Sequence, residues 1–213
     1  MVADGMGGHN AGEIASSATV KIISDHFTVA RLATMQGNPQ ESRHSLVKSF
    51  EEANAVVSAM AAEKDEWQGM GSTLVVAYID DSTLHLCHVG DARCYLVSEG
   101  VLRKLTTDHT TLAEMRGEHS KPGEQSAQHE SRHVVTRVIG YPFPEPPEYN
   151  SCQLRDGDRL LLCTDGLWSM VAEKTLAGVI ATAQTPGDAV NHLIDLANQA
   201  GGPDNITGVA IFC

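Results

Sequence analysis

Hydrophobic positions change period once along this chain. Residues 12 to 32 carry apolar side chains at Ile14, Ala18 and Ile22, then Ile23, Phe27 and Ala30, a spacing that predicts a helix behind a Gly-containing entry. Leu46, Phe50, Ala53, Val57 and Met60 step by four and three and predict a second helix with one buried stripe. From Gly71 the period becomes that of strands. "STLVVAYI" meets "TLHLCHVG" across Asp80-Asp81-Ser82, and "RCYLVSEGVLRKL" turns at Glu99-Gly100, so two hairpins are expected. Residues 108 to 133 are polar, rich in histidine and broken by Gly117, Pro122 and Gly123, which reads as a short helix followed by a surface loop. Strands return at "YNSCQL" and "DRLLLCT" around an Asp156-Gly157 turn. Helices follow over about 172 to 183 and 187 to 200, and "NITGVAIF" closes as a strand. Without a repeat or long linker to divide it, the pattern predicts one α+β domain over residues 1–213 in which helices cover antiparallel sheets.

Composition narrows the function. A chain of 213 residues can bury roughly 70% of its unfolded surface, so a full core is within reach. A formal charge of −12 argues against nucleic acid as a partner, because that binding rests on Lys and Arg neutralising phosphates. An acidic protein still handles a phosphate when bound cations invert the local field. No apolar run approaches the roughly 20 residues of a membrane span and no basic-apolar leader is visible, so the expectation is a soluble, cytoplasmic protein with no membrane partner. Cys87, Cys94, Cys152, Cys163 and Cys213 are odd in number and lack CxxC spacing, which favours reduced thiols packed in strands over zinc or disulfides.

The chemistry lies in where the acids fall. Asp4 follows "VA", Asp91 follows "LHLCHVG" and Asp165 follows "RLLLCT", each where a hydrophobic strand finishes, while Asp204 precedes the last strand. In antiparallel sheets the start of one strand lies beside the end of its neighbour, which permits all four carboxylates to gather at one edge. A single Asp-Gly is ordinary turn chemistry. Four gathered acids repel one another, so the cluster is sensible chiefly with cations among them, and oxygen-only ligands select Mg²⁺ or Mn²⁺ over zinc. A carboxylate shared by two such ions is the arrangement that activates water against a phosphate ester. Ser72 and Thr73 invite a nucleophile reading, but their place in a buried strand favours packing. His109, His119, His129 and His133 lack regular ligand spacing and read as part of a solvated loop.

With these residues in hand, the sequence resembles the metal-dependent protein Ser/Thr phosphatases of type 2C (the PPM family), in particular their compact bacterial members. "VADGMGGHNAGEIAS", "GMGSTLVVAYI", "LHLCHVGDARCYLV", "LTTDHT", "HVVTRVIG", "GDRLLLCTDGLWSMV" and "GGPDNITGVAIF" match that family's motifs in order. The resemblance implies an α+β fold, a β-sandwich flanked by helix pairs in four layers, with two metal ions at one end. It implies that Asp4 bridges the ions and the Gly5 carbonyl binds the second. Asp165 and Asp204 complete the first site, and Asp91 beside Asp165 holds a third, weaker ion. His9 matches a histidine near the bacterial centre and becomes a candidate proton donor to the leaving group; Met6 stands where other members carry histidine directly after Asp-Gly. Leu105 to Arg137 aligns with a variable flap that influences substrate choice. Phosphorylated proteins, including a Ser/Thr kinase, would be the partners. Hydrolysis of small phosphate esters, or phosphoprotein binding without turnover, are the rival functions.

The resemblance also implies about 20 to 40 residues of strand ahead of the "ADG" turn, with an arginine for the substrate phosphate and an acidic pair assisting the metals. The expectation from the sequence is therefore a chain lacking its N-terminal strands, with an exposed sheet edge and impaired catalysis.

Overall fold

A computed structural model describes residues 1–7, 10–111 and 134–213. The elements run β1 (Val2–Met6), α1 (Ala11–His26), α2 (Val29–Met35), α3 (Pro39–Glu63), β2 (Gly71–Asp80), β3 (Thr83–Val89), β4 (Arg93–Ser98), β5 (Val101–Lys104), β6 (Glu148–Gln153), β7 (Arg159–Cys163), α4 (Asp165–Trp168), α5 (Glu173–Thr182), α6 (Pro186–Gln199) and β8 (Gly208–Phe212).

Alternation along the strands builds the layers. In β4, Cys94 and Leu96 point into one core while Tyr95 and Val97 point into another; in β7, Leu160 and Leu162 divide from Leu161 and Cys163 in the same way. Both faces of these strands are buried, which is why their sequences read as continuous apolar runs. One antiparallel sheet has the order β1-β2-β3-β6 and the other β5-β4-β7-β8. Val75, Leu84, Leu86, Leu96, Leu160 and Leu162 fill the space between them. On the outer face of the first sheet, Ile23 of α1 and Leu46, Phe50, Ala53 and Val57 of α3 pack against Leu74 and Val76. Leu176 and Ile180 of α5 and Leu193 and Ala197 of α6 cover the second sheet through Tyr95, Val97 and Leu161. The result is helix, sheet, sheet, helix. Among the described residues, no helix is long and apolar enough to cross a membrane.

The turns follow their sequences. Glu99 and Gly100 both have positive φ (51° and 78°), as a two-residue type I′ hairpin demands. Asp81 (φ 56°) opens the turn between β2 and β3, and Gly157 (φ 88°) lies in the turn before β7.

Three expectations need correction. The single helix over 12 to 32 is two helices, because Phe27 leaves helical geometry and the Thr28 hydroxyl accepts the Arg31 N–H to start α2. The second helix extends to 25 residues from an Asn38 cap followed by Pro39. Finally, Asp4 does not end a strand: β1 continues through it to Met6, with Asp4 opposite Thr73.

Candidate metal centre

Each acid reaches the same cavity by a different local device. The buried Ser72 hydroxyl donates to the Asp4 carbonyl at 3.0 Å, and the Asp4 N–H donates to the Thr73 hydroxyl at 3.3 Å. The motif "GST" is thus packing, and it also holds the backbone of the acid opposite. Asp91 follows β3, where Gly90 adopts φ 99° and a side chain would meet Thr73. Asp165 opens α4 immediately after β7. The Thr164 hydroxyl accepts the Thr207 N–H at 3.1 Å, and the Thr164 N–H donates to the Thr207 carbonyl at the same distance, which draws the loop containing Asp204 against the end of β7. Gly166 completes that approach. A Cβ at this position would collide with the Asn205 carbonyl, so glycine alone lets the segments of Asp165 and Asp204 meet.

Asp4, Gly5, Asp91, Asp165 and Asp204 consequently line one cavity of about 290 Å³, together with Met6, Thr73, Val135, Trp168 and Ser169. Its electrostatics are unbalanced. Burial, reinforced by Asp165, Asp204 and Asp91, pushes the Asp4 carboxyl up to about 7. Burial likewise raises Asp91 to about 6, with Asp165 and Asp108 adding to the effect and Arg93 opposing it. Asp165 Oδ1 is buried without a hydrogen-bond partner, a costly state for an isolated carboxylate oxygen. Asp204 is exposed, and its Oδ1 accepts the Asn205 N–H at 2.7 Å. No Lys or Arg stands among the described lining residues. These features fit hard divalent ions: an orphaned oxygen, acids whose charges oppose one another, and an oxygen-only donor set.

His9 lies outside the described residues, as do His119, His129 and His133. His109 does not belong to a solvated loop: it is buried, stacked on His88 with ring centroids 4.9 Å apart, beside Glu148. The ligand atoms of these three residues lie within 4.8 Å of one another, but their hydrogen bonds make them a brace. His88 Nε2 lies 2.9 Å from the Thr107 carbonyl, which only accepts, so that nitrogen carries a proton. The Gly90 N–H donates to His109 Nδ1 at 3.1 Å, which leaves the His109 proton on Nε2, 3.6 Å from Glu148 Oε2. Neither Nε2 retains a lone pair for an ion. His109 instead anchors Gly90, the residue before Asp91, and its own N–H returns a bond to the Gly90 carbonyl at 3.0 Å.

Sequence reasoning missed a second support. The Arg93 guanidinium grips Asp108 through Nε at 3.0 Å and Nη2 at 2.7 Å and lies 3.4 Å over the Trp168 ring. The forked pair is legible in "GDAR" and "TTDHT" only once the strands are paired, since 15 residues separate its members.

Known proteins resemble this chain in sequence and fold. The Protein phosphatase 2C family model matches residues 1–206. The Serine/threonine phosphatase stp of Listeria monocytogenes is 36% identical over 209 residues, covering 97% of this chain and 81% of that protein. Protein phosphatase PhpP of Streptococcus pneumoniae is 31% identical over 207 residues, covering 97% and 82%. Among solved structures, the serine/threonine phosphatase of S. agalactiae superposes with a TM-score of 0.85 at 31% identity over 99% of this chain and 86% of that one. The catalytic domain of PstP in complex with two manganese ions gives 0.78 at 30% identity, covering 98% and 84%. The family match over residues 1–206, the sequence identity and the likeness of fold agree: the chain belongs to the protein phosphatase 2C family of metal-dependent Ser/Thr phosphatases.

Proposed function

We propose that this chain hydrolyses phosphoserine and phosphothreonine in proteins, with Asp4, Asp165, Asp204 and the Gly5 carbonyl holding two Mn²⁺ or Mg²⁺ ions and Asp91 with Asp165 holding a third. The reading rests on one observation: carboxylates from four distant segments line a single cavity with no Lys or Arg among its described lining residues, and one of their oxygens is buried without a partner. Bound there, the ions would lower the pKa of a water and neutralise the phosphoryl oxygens. Water adds to phosphorus, the bond to the seryl or threonyl oxygen breaks, and the freed side chain takes up a proton to leave as the alcohol beside inorganic phosphate.

The chain's own residues set the conditions for this. In the ion-free site Asp4 holds a proton toward neutral pH, close to Asp165, and that proton leaves as ions enter. The Ser72 hydroxyl donates to the Asp4 carbonyl and the Thr73 hydroxyl accepts the Asp4 N–H, so the main chain that carries this ligand is fixed in advance. The cavity accommodates a phosphoryl group and its waters while leaving the rest of a substrate on the surface, which suits a protein carrying the ester on an exposed segment. His9 would be the proton donor to the leaving alkoxide; of the flap expected over residues 105–137, residues 112–133 lie outside the described residues. The substrates would be products of a bacterial Ser/Thr kinase, and the kinase itself would be among them. Five free thiols favour the reducing cytoplasm.

Phosphate release from a phosphothreonine peptide, with and without Mn²⁺, tests the reading against nucleoside and sugar phosphates. Mn²⁺-dependent turnover of the peptide, lost in Asp165→Asn, is expected. Turnover without divalent ions, turnover that survives Asp165→Asn, or preference for the small esters would refute it.

A further inference from the structure

Trp168 lies at the C-terminal end of the short helix that Asp165 begins, and its indole forms part of the cavity wall. Its Nε1–H does not face solvent or substrate. It donates at 3.0 Å to the main-chain carbonyl of Asp91, a residue 77 positions away. The ring is held in that orientation from its other side. Arg93 stacks on it at 3.4 Å, and Arg93 is in turn immobilised by two bonds to Asp108 and a third, 2.8 Å, to the Tyr95 hydroxyl. Lys104 also reaches Asp108, at 3.1 Å. The indole therefore links the two segments that bear Asp91 and Asp165, and a planar side chain with two torsions gives that link little freedom.

We propose that Trp168 is a positioning residue: its indole N–H fixes the Asp91 loop against the helix of Asp165, and thereby sets the affinity of the ion that those two carboxylates share. The proposal rests on the reading of Asp91 and Asp165 as ligands. The first acid is carried on a loop and the second on a helix, so nothing in a single secondary-structure element maintains their separation. The Trp168 bond does so directly. His109 ties the turn at Gly90, through its ring Nδ1 and its own N–H, and Trp168 ties it at the Asp91 carbonyl. Asp4, Asp165 and Asp204 are oriented by Ser72, Thr73, Thr164 and the close approach at Gly166, none of which involves the indole. Loss of the N–H should then weaken one ion and spare the others.

The test is Mn²⁺ titration calorimetry on residues 1–213 as wild type, Trp168→Phe and Asp91→Asn, with the melting temperature of each metal-free protein recorded. Phenylalanine keeps a ring under Arg93 and removes the donor. A weakest site bound about five- to tenfold less tightly in Trp168→Phe, the size expected for one lost buried hydrogen bond, supports the proposal if the tighter sites are unchanged. That same weakest site should be absent from Asp91→Asn. To separate positioning from packing, a second variant carries benzothienylalanine at 168, an isostere with sulfur in place of the N–H; it should reproduce the loss of affinity with a smaller fall in melting temperature than Trp168→Phe, since the packing of the ring is kept. A wild-type isotherm for both donor-free variants, or equal weakening of every site, overturns the role of Trp168 while the ligand reading stands. An isotherm unchanged by Asp91→Asn overturns both.

Discussion

Removing divalent ions should make this protein less stable as the pH rises from 5 to 8. The Asp4 carboxyl goes from the ordinary 3.8 to about 7 in the folded chain, and Asp91 from 3.8 to about 6. Across those intervals the folded state binds protons that the unfolded state has released, so stability falls with increasing pH and the loss is complete above the folded-state values. Each pH unit is worth about 1.4 kcal/mol per group. From pH 5, Asp91 contributes one unit, about 1.4 kcal/mol. Asp4 contributes two, which solvent screening of a half-buried group reduces to about the same figure. The sum of about 3 kcal/mol corresponds to a fall of about 6–12 °C in melting temperature for a domain of this size. Scanning calorimetry in a chelator, repeated with Asp4→Asn, measures it; the variant should lose about half of the slope. Saturating Mn²⁺ should reverse the trend, because ion binding competes with the same protons and strengthens as they leave. A metal-free melting temperature that holds or rises between pH 5 and 8 would refute the account of how these acids are held.

Other perturbations probe the architecture around the site. Gly166→Ala places a methyl group against the Asn205 carbonyl; we expect about 1–3 kcal/mol of destabilisation in urea unfolding, with Mn²⁺ affinity at least tenfold weaker by calorimetry, whereas Gly178→Ala in α5, with open space at the same atom, should be neutral or stabilising. Leu162→Ala, in the core between the sheets, should cost about 2–5 kcal/mol in the same unfolding assay with the ion stoichiometry retained. Arg159 Nη1 donates to the carbonyls of Ile180 and Ala183 at the end of α5, at 2.6 and 2.8 Å, so Arg159→Met should remove about 1.5–3 kcal/mol and increase amide exchange in α5 ahead of the rest of the chain.

The two periods of apolar spacing located most of these elements because burial acts on each element separately. Leu46 to Val57 need only face one sheet, and β7 needs only two apolar neighbours, so a local pattern carries the information. The break between α1 and α2 was hidden because Phe27 and Ala30 continue the apolar spacing through it; the signal was Thr28, a capping residue inside the stripe. His109 misled for the opposite reason. Its neighbours in sequence are polar, while its burial comes from His88, Gly90 and Glu148, which lie on other elements. The position of Asp4 within β1, and not after it, depends on pairing with β2 as far as Gly71, which the few residues before Asp4 could not reveal.

The acids themselves were legible as a group, and the way they are brought together was only half so. A sequence shows Asp beside Gly or Pro; it does not show which glycine admits which backbone. Gly166 matters because Asn205 lies against it, and Asn205 lies there because Thr164 and Thr207 exchange hydrogen bonds across 43 residues. Similarly, Trp168 looks like one more apolar residue at the end of "DGLW" until its N–H is followed to the carbonyl of Asp91. Both cases have the same physical structure. Protonation of Asp4 relieves only part of the repulsion among the ligands in the absence of ions, so the close approach is also supported by groups with no charge to contribute: hydroxyls, an indole, a missing Cβ. Substituting those neutral residues should therefore weaken ion binding by about tenfold or more, less than the loss of a carboxylate ligand, while leaving the formal charge of the site intact.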